Sequence, residues 1–465
     1  MRIGLAIVSA CLAAAVMLMV GSMILTPDRD LLVYAEFNLM TISPNADGSD
    51  DITQFSYEIS RAATVTLVFE AENGDVYYFR EGEARGVGTY RVLFSGVVDG
   101  FALPDDPPIE AEILRRLIPN GTYTWTLTVE AEDDNETVSE SGTLNVVDAD
   151  SELPWVTEFS VYPEVFTPNQ DGVNDRTSIN VYVDKDVILL DVYLIDENDR
   201  RIPVVRRDEG REINEAGRHT YDYEGGVDVG ADPPSNGTYR VIVDAQDAEG
   251  QVIRRTATLS IEDGGKPRGE IVAQSVGATV AFIILPYDDA YYSDVNGLGE
   301  LLPIPDYPGD TSLAAINMAL GDMLVFRLTV ENYGQAPIRT SGPPPGTVYQ
   351  QTQRASSLGE LEQSGVWRIG MDCESAMADY PWRWAIGSAD DLYEEYDPVS
   401  GNTYTYLAPG ASAEVWGAIR MTELVEAANP MNCWAGLIHE DVSVVNNVVG
   451  ARQVELADLS STEDN

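Results

Sequence analysis

The chain has 465 residues, 77 of them acidic against 28 basic, and a formal net charge of −49. That length is too great for one hydrophobic core and sets an expectation of about three domains. So acidic a surface repels phosphate backbones and anionic headgroups, which argues against nucleic acid as a partner, while 44% hydrophobic residues argue against a disordered acidic chain.

The first element in chain order is an uncharged run from Ile3 to Leu25. As a helix it would span about 34 Å, enough to cross a hydrocarbon core. Arg2 before it places the N-terminus in the cytoplasm and everything after Thr26 outside. Three readings stand side by side for residues 1–25: an uncleaved signal anchor forming one N-terminal transmembrane helix, a cleaved signal peptide, or lipidation at Cys11 after Val8-Ser9-Ala10. Residues 26–36 read as a linker.

Two segments follow, 37–148 and 155–262, and they share landmarks in the same order. Each opens with a near-copy, Ser43-Pro44-Asn45-Ala46-Asp47-Gly48-Ser49-Asp50-Asp51 and Thr167-Pro168-Asn169-Gln170-Asp171-Gly172-Val173-Asn174-Asp175. Each later carries Asn-Gly-Thr-Tyr, at Asn120–Tyr123 and Asn236–Tyr239. Paired landmarks mean one module used twice. Alternating runs predict strands over 64–69, 76–79, 90–94 and 123–129 in the first copy, and over 187–195 and 239–243 in the second. Asn73-Gly74 predicts a hairpin. Ile109–Leu117, following Pro107-Pro108, reads as a helical insert that lengthens the first copy.

The third segment, 266–456, begins after Gly264-Gly265-Lys266-Pro267, a linker signal. Its clearest strands are predicted at 323–330, 413–419 and 442–445. The tail, 457–465, is acidic and reads as disordered. Short strands separated by Gly, Asn and Asp turns give a mainly β fold class: tandem antiparallel sandwiches plus a larger C-terminal β domain.

The repeated Ser/Thr-Pro-Asn-x-Asp-Gly opening resembles the start of Ig-like modules of bacterial surface proteins, including gliding-motility-associated C-terminal domains. Later features of the second copy, Ile195–Asp199, Ala216-Gly217-Arg218-His219, Ser235–Tyr239 and Asp247–Gly250, resemble the Ig-like module of the flagellar hook-capping protein. The match covers about half the chain. It departs where Asp199 stands for a Gly, and where Phe94-Ser95-Gly96 and Tyr223-Glu224-Gly225 stand for Trp-Asp-Gly. Gly321–Pro337 with Ala408–Ser412 loosely resembles bacterial Ig-like domains of the cell-adhesion-related type. The resemblance implies extracytoplasmic sandwiches acting as spacers or assembly modules, without catalytic activity.

Four sets of residues could carry more chemistry. Asn45, Asp47, Asp50 and Asp51, and likewise Asn169, Asp171, Asn174 and Asp175, offer hard oxygen donors in a Gly-turned loop, the donor type calcium takes. Aligning the Gly puts Ser43 or Thr167 at position 1 of an EF-hand loop and Gln54 or Ser178 at position 12, so neither is one. Structural calcium and a tight Asx-turn both remain open, and no other cofactor is implied. Five of the seven Trp lie in the last third; of these, Trp367, Trp382, Trp384 and Trp416 are candidates for a ligand-binding platform or for a core. Cys373 and Cys433 could pair as a disulfide in an extracytoplasmic setting, or stay as two buried thiols. The only histidines, His219 and His439, read as structural; His439 and Glu440 are neighbours whose side chains point apart in a strand.

The sequence therefore predicts a non-enzymatic, membrane-anchored or secreted extracytoplasmic protein, structural or adhesive. Its partners would be other envelope or surface proteins, with the membrane contacted through the N-terminal helix. Glycan binding through the Trp-rich region is the alternative, and a polysaccharide hydrolase ranks third.

Overall fold

A computed structural model describes residues 16–17, 29–206, 210, 212–273, 278–291, 299–305 and 314–457. The segment expected to anchor the chain, Ile3–Leu25, lies almost wholly outside these residues, as does all of the expected tail beyond Ala457. Among the described residues no helix is long and apolar enough to cross a membrane. They form strands joined by turns and short 3-10 segments, so the protein is mainly β.

The first copy contributes β1 (Leu32–Phe37), β2 (Thr41–Ile42), β3 (Thr53–Ile59), β4 (Ala63–Ala71), β5 (Val76–Arg85), β6 (Gly88–Phe94), β7 (Val97–Asp99), β8 (Glu112–Leu117), β9 (Gly121–Ala131) and β10 (Thr137–Val146). Burial alternates along them, most regularly in β3 and β4, because successive side chains of a strand point to opposite faces. One sheet runs β1-β3-β6 and the other β2-β10-β9-β4-β5. They enclose an aromatic core in which the Phe69 and Phe94 rings stack at 4.5 Å and Trp125 meets Phe55 edge-on at 5.4 Å.

The second copy contributes β11 (Val156–Tyr162), β12 (Val165–Phe166), β13 (Thr177–Val183), β14 (Leu189–Ile195), β15 (Arg201–Pro203), β16 (Gly217–Tyr223), β17 (Gly237–Gln246) and β18 (Val252–Ile261). Its sheets run β11-β13-β16 and β15-β14-β17-β18, with β12 pairing β18 in parallel as β2 pairs β10. Strand for strand this is the order of the first copy. Its core is mostly aliphatic, built on Val181, Val192, Leu194, Val241 and Val243, with Phe166 and three Tyr beside them. Two turn contacts recur as well. Tyr123 donates to the Pro119 carbonyl at 2.6 Å and Tyr239 to the Ser235 carbonyl at 2.7 Å. Asn120 and Asn236 each accept a backbone amide at 2.9 Å, from Ala149 and Gly264. Asp199, standing where a Gly was expected, adopts φ 58°, a left-handed conformation that Asp tolerates better than most residues.

The insert of the first copy corrects the sequence reading. The expected helix at 109–117 contains β8, which pairs antiparallel with β7 and with β18 of the second copy. A nine-residue amphipathic stretch is too short to hold a helix unaided. As a strand it places Ile113 against Leu153, Trp155 and Ile253.

The described residues of the third segment form two five-stranded sheets and a smaller three-stranded one. Its core gathers Phe326, Tyr349, Trp367, Trp382 and Trp384 with many aliphatic side chains. Cys373 and Cys433 face each other across the strands Trp367–Cys373 and Met431–His439, with Cα atoms 4.1 Å apart, and are disulfide-bonded.

Candidate functional site: the repeated loops and the joints between segments

The two Asn-x-Asp-Gly loops are left-handed at the same three positions. Ala46, Gly48 and Asp50 have φ of 60°, 86° and 57°, and Gln170, Gly172 and Asn174 have φ of 57°, 81° and 51°. In the first loop the Asp51 carboxylate accepts the amides of Asn45, Ala46 and Gly48 at 3.1, 2.9 and 2.7 Å. In the second, Asp175 accepts those of Asn169, Asp171 and Gly172 at 3.3, 3.2 and 2.6 Å. Asn45 and Asn169 each take the amide two residues on, the Asx-turn geometry. Oxygens of Asn45, Asp47, Asp51, Asn169, Asp171 and Asp175 are thus turned onto the backbone. Among the described residues no three His, Cys, Asp or Glu side chains gather to hold a metal ion. The bonds within each loop are those of the Asx-turn.

What differs is the surroundings. Residues 46–50 are exposed, whereas Asn169 and Asp171 are 1% and 3% exposed beneath the third segment. There the Asp171 carboxylate accepts a hydrogen bond from the Tyr406 hydroxyl at 3.1 Å. Asn174 donates to Asp397 at 3.0 Å, and the His439 Nε2 lies 2.7 Å from the Gln170 carbonyl oxygen. Backbone meets backbone at the centre: a Cβ on Gly172 would overlap the Ser364 carbonyl oxygen, and one on Gly365 would overlap the Asp171 backbone. Arg339 donates to the same Ser364 carbonyl at 2.9 Å. Burial, with the Asp175 charge beside it, pushes the Asp171 carboxyl up to about 7. Burial also lowers His439 to about 4, against the pull of the Gln170 and Gly365 carbonyls.

A second joint links the first two copies. The β8–β18 ladder is flanked by Gln251, a buried side chain that accepts the Leu117 amide at 3.2 Å and donates to the Asp150 and Glu152 carbonyls at 3.1 and 2.9 Å. Lys185 bridges Asp150, Asp247 and Glu249 at 3.1, 3.1 and 3.0 Å. Those carboxylates raise its pKa against the opposing effect of burial, which alone would lower it. Arg255 reaches across to the Glu110 carbonyl at 3.1 Å.

The remaining candidates fall elsewhere. Trp382 and Trp384 do share one face of their strand, but it is the inner one: Trp367, Trp382 and Trp384 are 1%, 1% and 0% exposed and lie in the core, which overturns the platform reading for them. Trp416 is half-buried and donates to the Leu302 carbonyl at 2.8 Å. His219 lies 2.8 Å from the Glu215 carbonyl, and Glu440 points away from His439 to pair with Arg383 at 2.5 Å. Sequence reading missed the joint residues Gln170, Lys185, Gln251 and Arg339. Gln170 sits inside the repeated loop and Gln251 just after the Asp247–Gly250 turn, the signals that could have found them.

No family model matches the chain. No curated protein matches it either. Among solved structures it is similar to dimeric latent PorU from Porphyromonas gingivalis, at 8% identity and a TM-score of 0.17 over 91% of this chain and 32% of that one. It is also similar to SGBP-B of the Bacteroides ovatus mixed-linkage glucan utilization locus, solved with a mixed-linkage heptasaccharide, at 11% identity and a TM-score of 0.14 over 90% and 66%. The chain thus spans about a third of the first protein's length and just under two thirds of the second's. At these TM-scores neither likeness fixes fold or activity.

Proposed function

We propose that this chain is a non-catalytic extracytoplasmic protein of the kind found on bacterial surfaces, structural or adhesive in role. In it, two Ig-like copies form a stiff spacer that presents the third segment to another envelope protein. The observation that carries this reading is the pair of joints. β8 leaves the first copy and completes a sheet of the second, and the second copy's loop is buried under the third segment. Such joints hold orientation, as a spacer must and a string of separately mobile domains need not. The disulfide agrees with an oxidising, extracytoplasmic setting. Both histidines are held by backbone carbonyls, which suits a scaffold better than acid–base chemistry. Anchoring through residues 3–25 belongs to the same proposal.

The test is protease treatment of intact cells. The reading expects the full-length protein to be lost from intact cells while a cytoplasmic marker survives. Full protection until the cells are lysed would contradict it.

A further inference from the structure

The two copies differ at one strand edge. In the second copy, the outer edge of β18 at Val252–Arg254 is covered by β8. The equivalent stretch of the first copy is Thr137–Ser139 of β10, because Thr137 pairs with Glu130 as Val252 pairs with Gln246. Along that edge β2 reaches only Asn145 and Val146. Among the described residues no strand pairs with Thr137–Thr143 on the side away from β9.

This edge is open, and charge at Glu140 and the adjoining hairpin is its one guard. Edges are usually protected by bulges, Pro or charged side chains, Lys above all. The β1 and β5 edges have register shifts, and β5 also carries Arg80, Glu81, Glu83 and Arg85. The β9–β10 ladder runs through ten pairs with no shift, and Thr137–Thr143 contains neither Pro nor Lys. We propose that the β10 edge at Thr137–Thr143 receives an extended, basic strand from another protein, added as β8 is added to β18.

Charge selects that occupant over a second copy of this chain. Glu130, Glu132, Asp133, Asp134, Glu136 and Glu140 crowd the β9–β10 hairpin. Arg61 alone answers them among the described ion pairs, bridging Asp133, Asp134 and Glu136. A second copy would bring the same acidic hairpin to the same edge, and like charges opposite one another destabilise a ladder. A strand carrying Lys or Arg gains from the same field.

The experiment uses synthetic peptides of residues 110–118 as probes on the full chain. One carries Glu110→Lys and Glu112→Lys, the other Arg115→Glu and Arg116→Glu. The basic peptide should bind saturably, at least tenfold more tightly than the acidic one, and slow amide exchange at Thr137–Thr143. Ser139→Lys with Ser141→Lys, both exposed positions, should abolish that binding while leaving exchange at Val252–Arg254 unchanged. Absence of binding, or protection arising elsewhere, would overturn the proposal. So would protection of Thr137–Thr143 without peptide accompanied by a doubled sedimentation mass, which would make the occupant a second copy.

Discussion

At residues 45–51 the Asn-x-Asp-Gly loop faces solvent. At 169–175 a near-copy of the loop, left-handed at the same positions and again closed by three amides on its last carboxylate, lies under the third segment. A self-contained turn of this kind needs no partner to hold its shape, so it can serve as a rigid knob wherever a neighbour supplies a matching socket. The socket is supplied by Ser364, Gly365, Tyr406 and His439. The comparison separates what the loop does for its own module from what it does for the joint, and paired substitutions measure the two.

The largest difference should come from the organising carboxylates. Asp175→Ala strands three amides in a largely buried place and should cost roughly 4 kcal/mol, whereas water replaces the carboxylate in Asp51→Ala at a cost of about 1 kcal/mol. Urea unfolding of the full chain reads both, and equal losses would break the distinction. Next come the turn glycines. Gly48→Ala meets nothing within 4 Å and should cost about 1 kcal/mol for its left-handed φ. Gly172→Ala also collides with Ser364 and should cost roughly 3 kcal/mol in all.

A smaller effect is pH-dependent. Asp171, raised to about 7 from 3.8, adds stability that is full below its unfolded pKa and is lost as pH rises through 7. His439, lowered to about 4 from 6.5, adds stability that is present above 6.5 and is lost as pH falls toward 4. The two slopes oppose each other between about pH 4 and 6.5, so the wild-type joint should change little there. Asp171→Asn should uncover the histidine slope, a loss of about 2 kcal/mol between pH 6.5 and 5. Asp47→Asn, the equivalent change in the exposed loop, should behave as wild type in thermal melts across that range. The smallest expected effect is none: EDTA should leave the melting temperature of the full chain unchanged, and a drop would place calcium in the loops.

The same contrast explains what could be read from residues in order along the chain. The loops, the Asn-Gly-Thr-Tyr turns and the alternating strands are local, and period-two burial writes them directly into sequence; β4 and β9 fell where expected, widened by three and four residues. The joints are not local. Ile109–Leu117 has a pattern compatible with a short helix, and only Ile253 and Trp155, more than thirty positions away, decide for a strand. Spacing correctly set Trp382 and Trp384 on one face, yet no spacing says whether that face looks inward. Gln170 and Gly172 resemble their exposed counterparts until Ser364 and His439 are brought against them.

Small-angle scattering of the full chain across ionic strength tests most directly whether the joints are rigid. With the net charge of −49 and stiff joints, the radius of gyration should stay constant, within a few per cent, from low to high salt. A particle that lengthens markedly as salt is removed, its segments pushed apart by their own charge, would contradict the account.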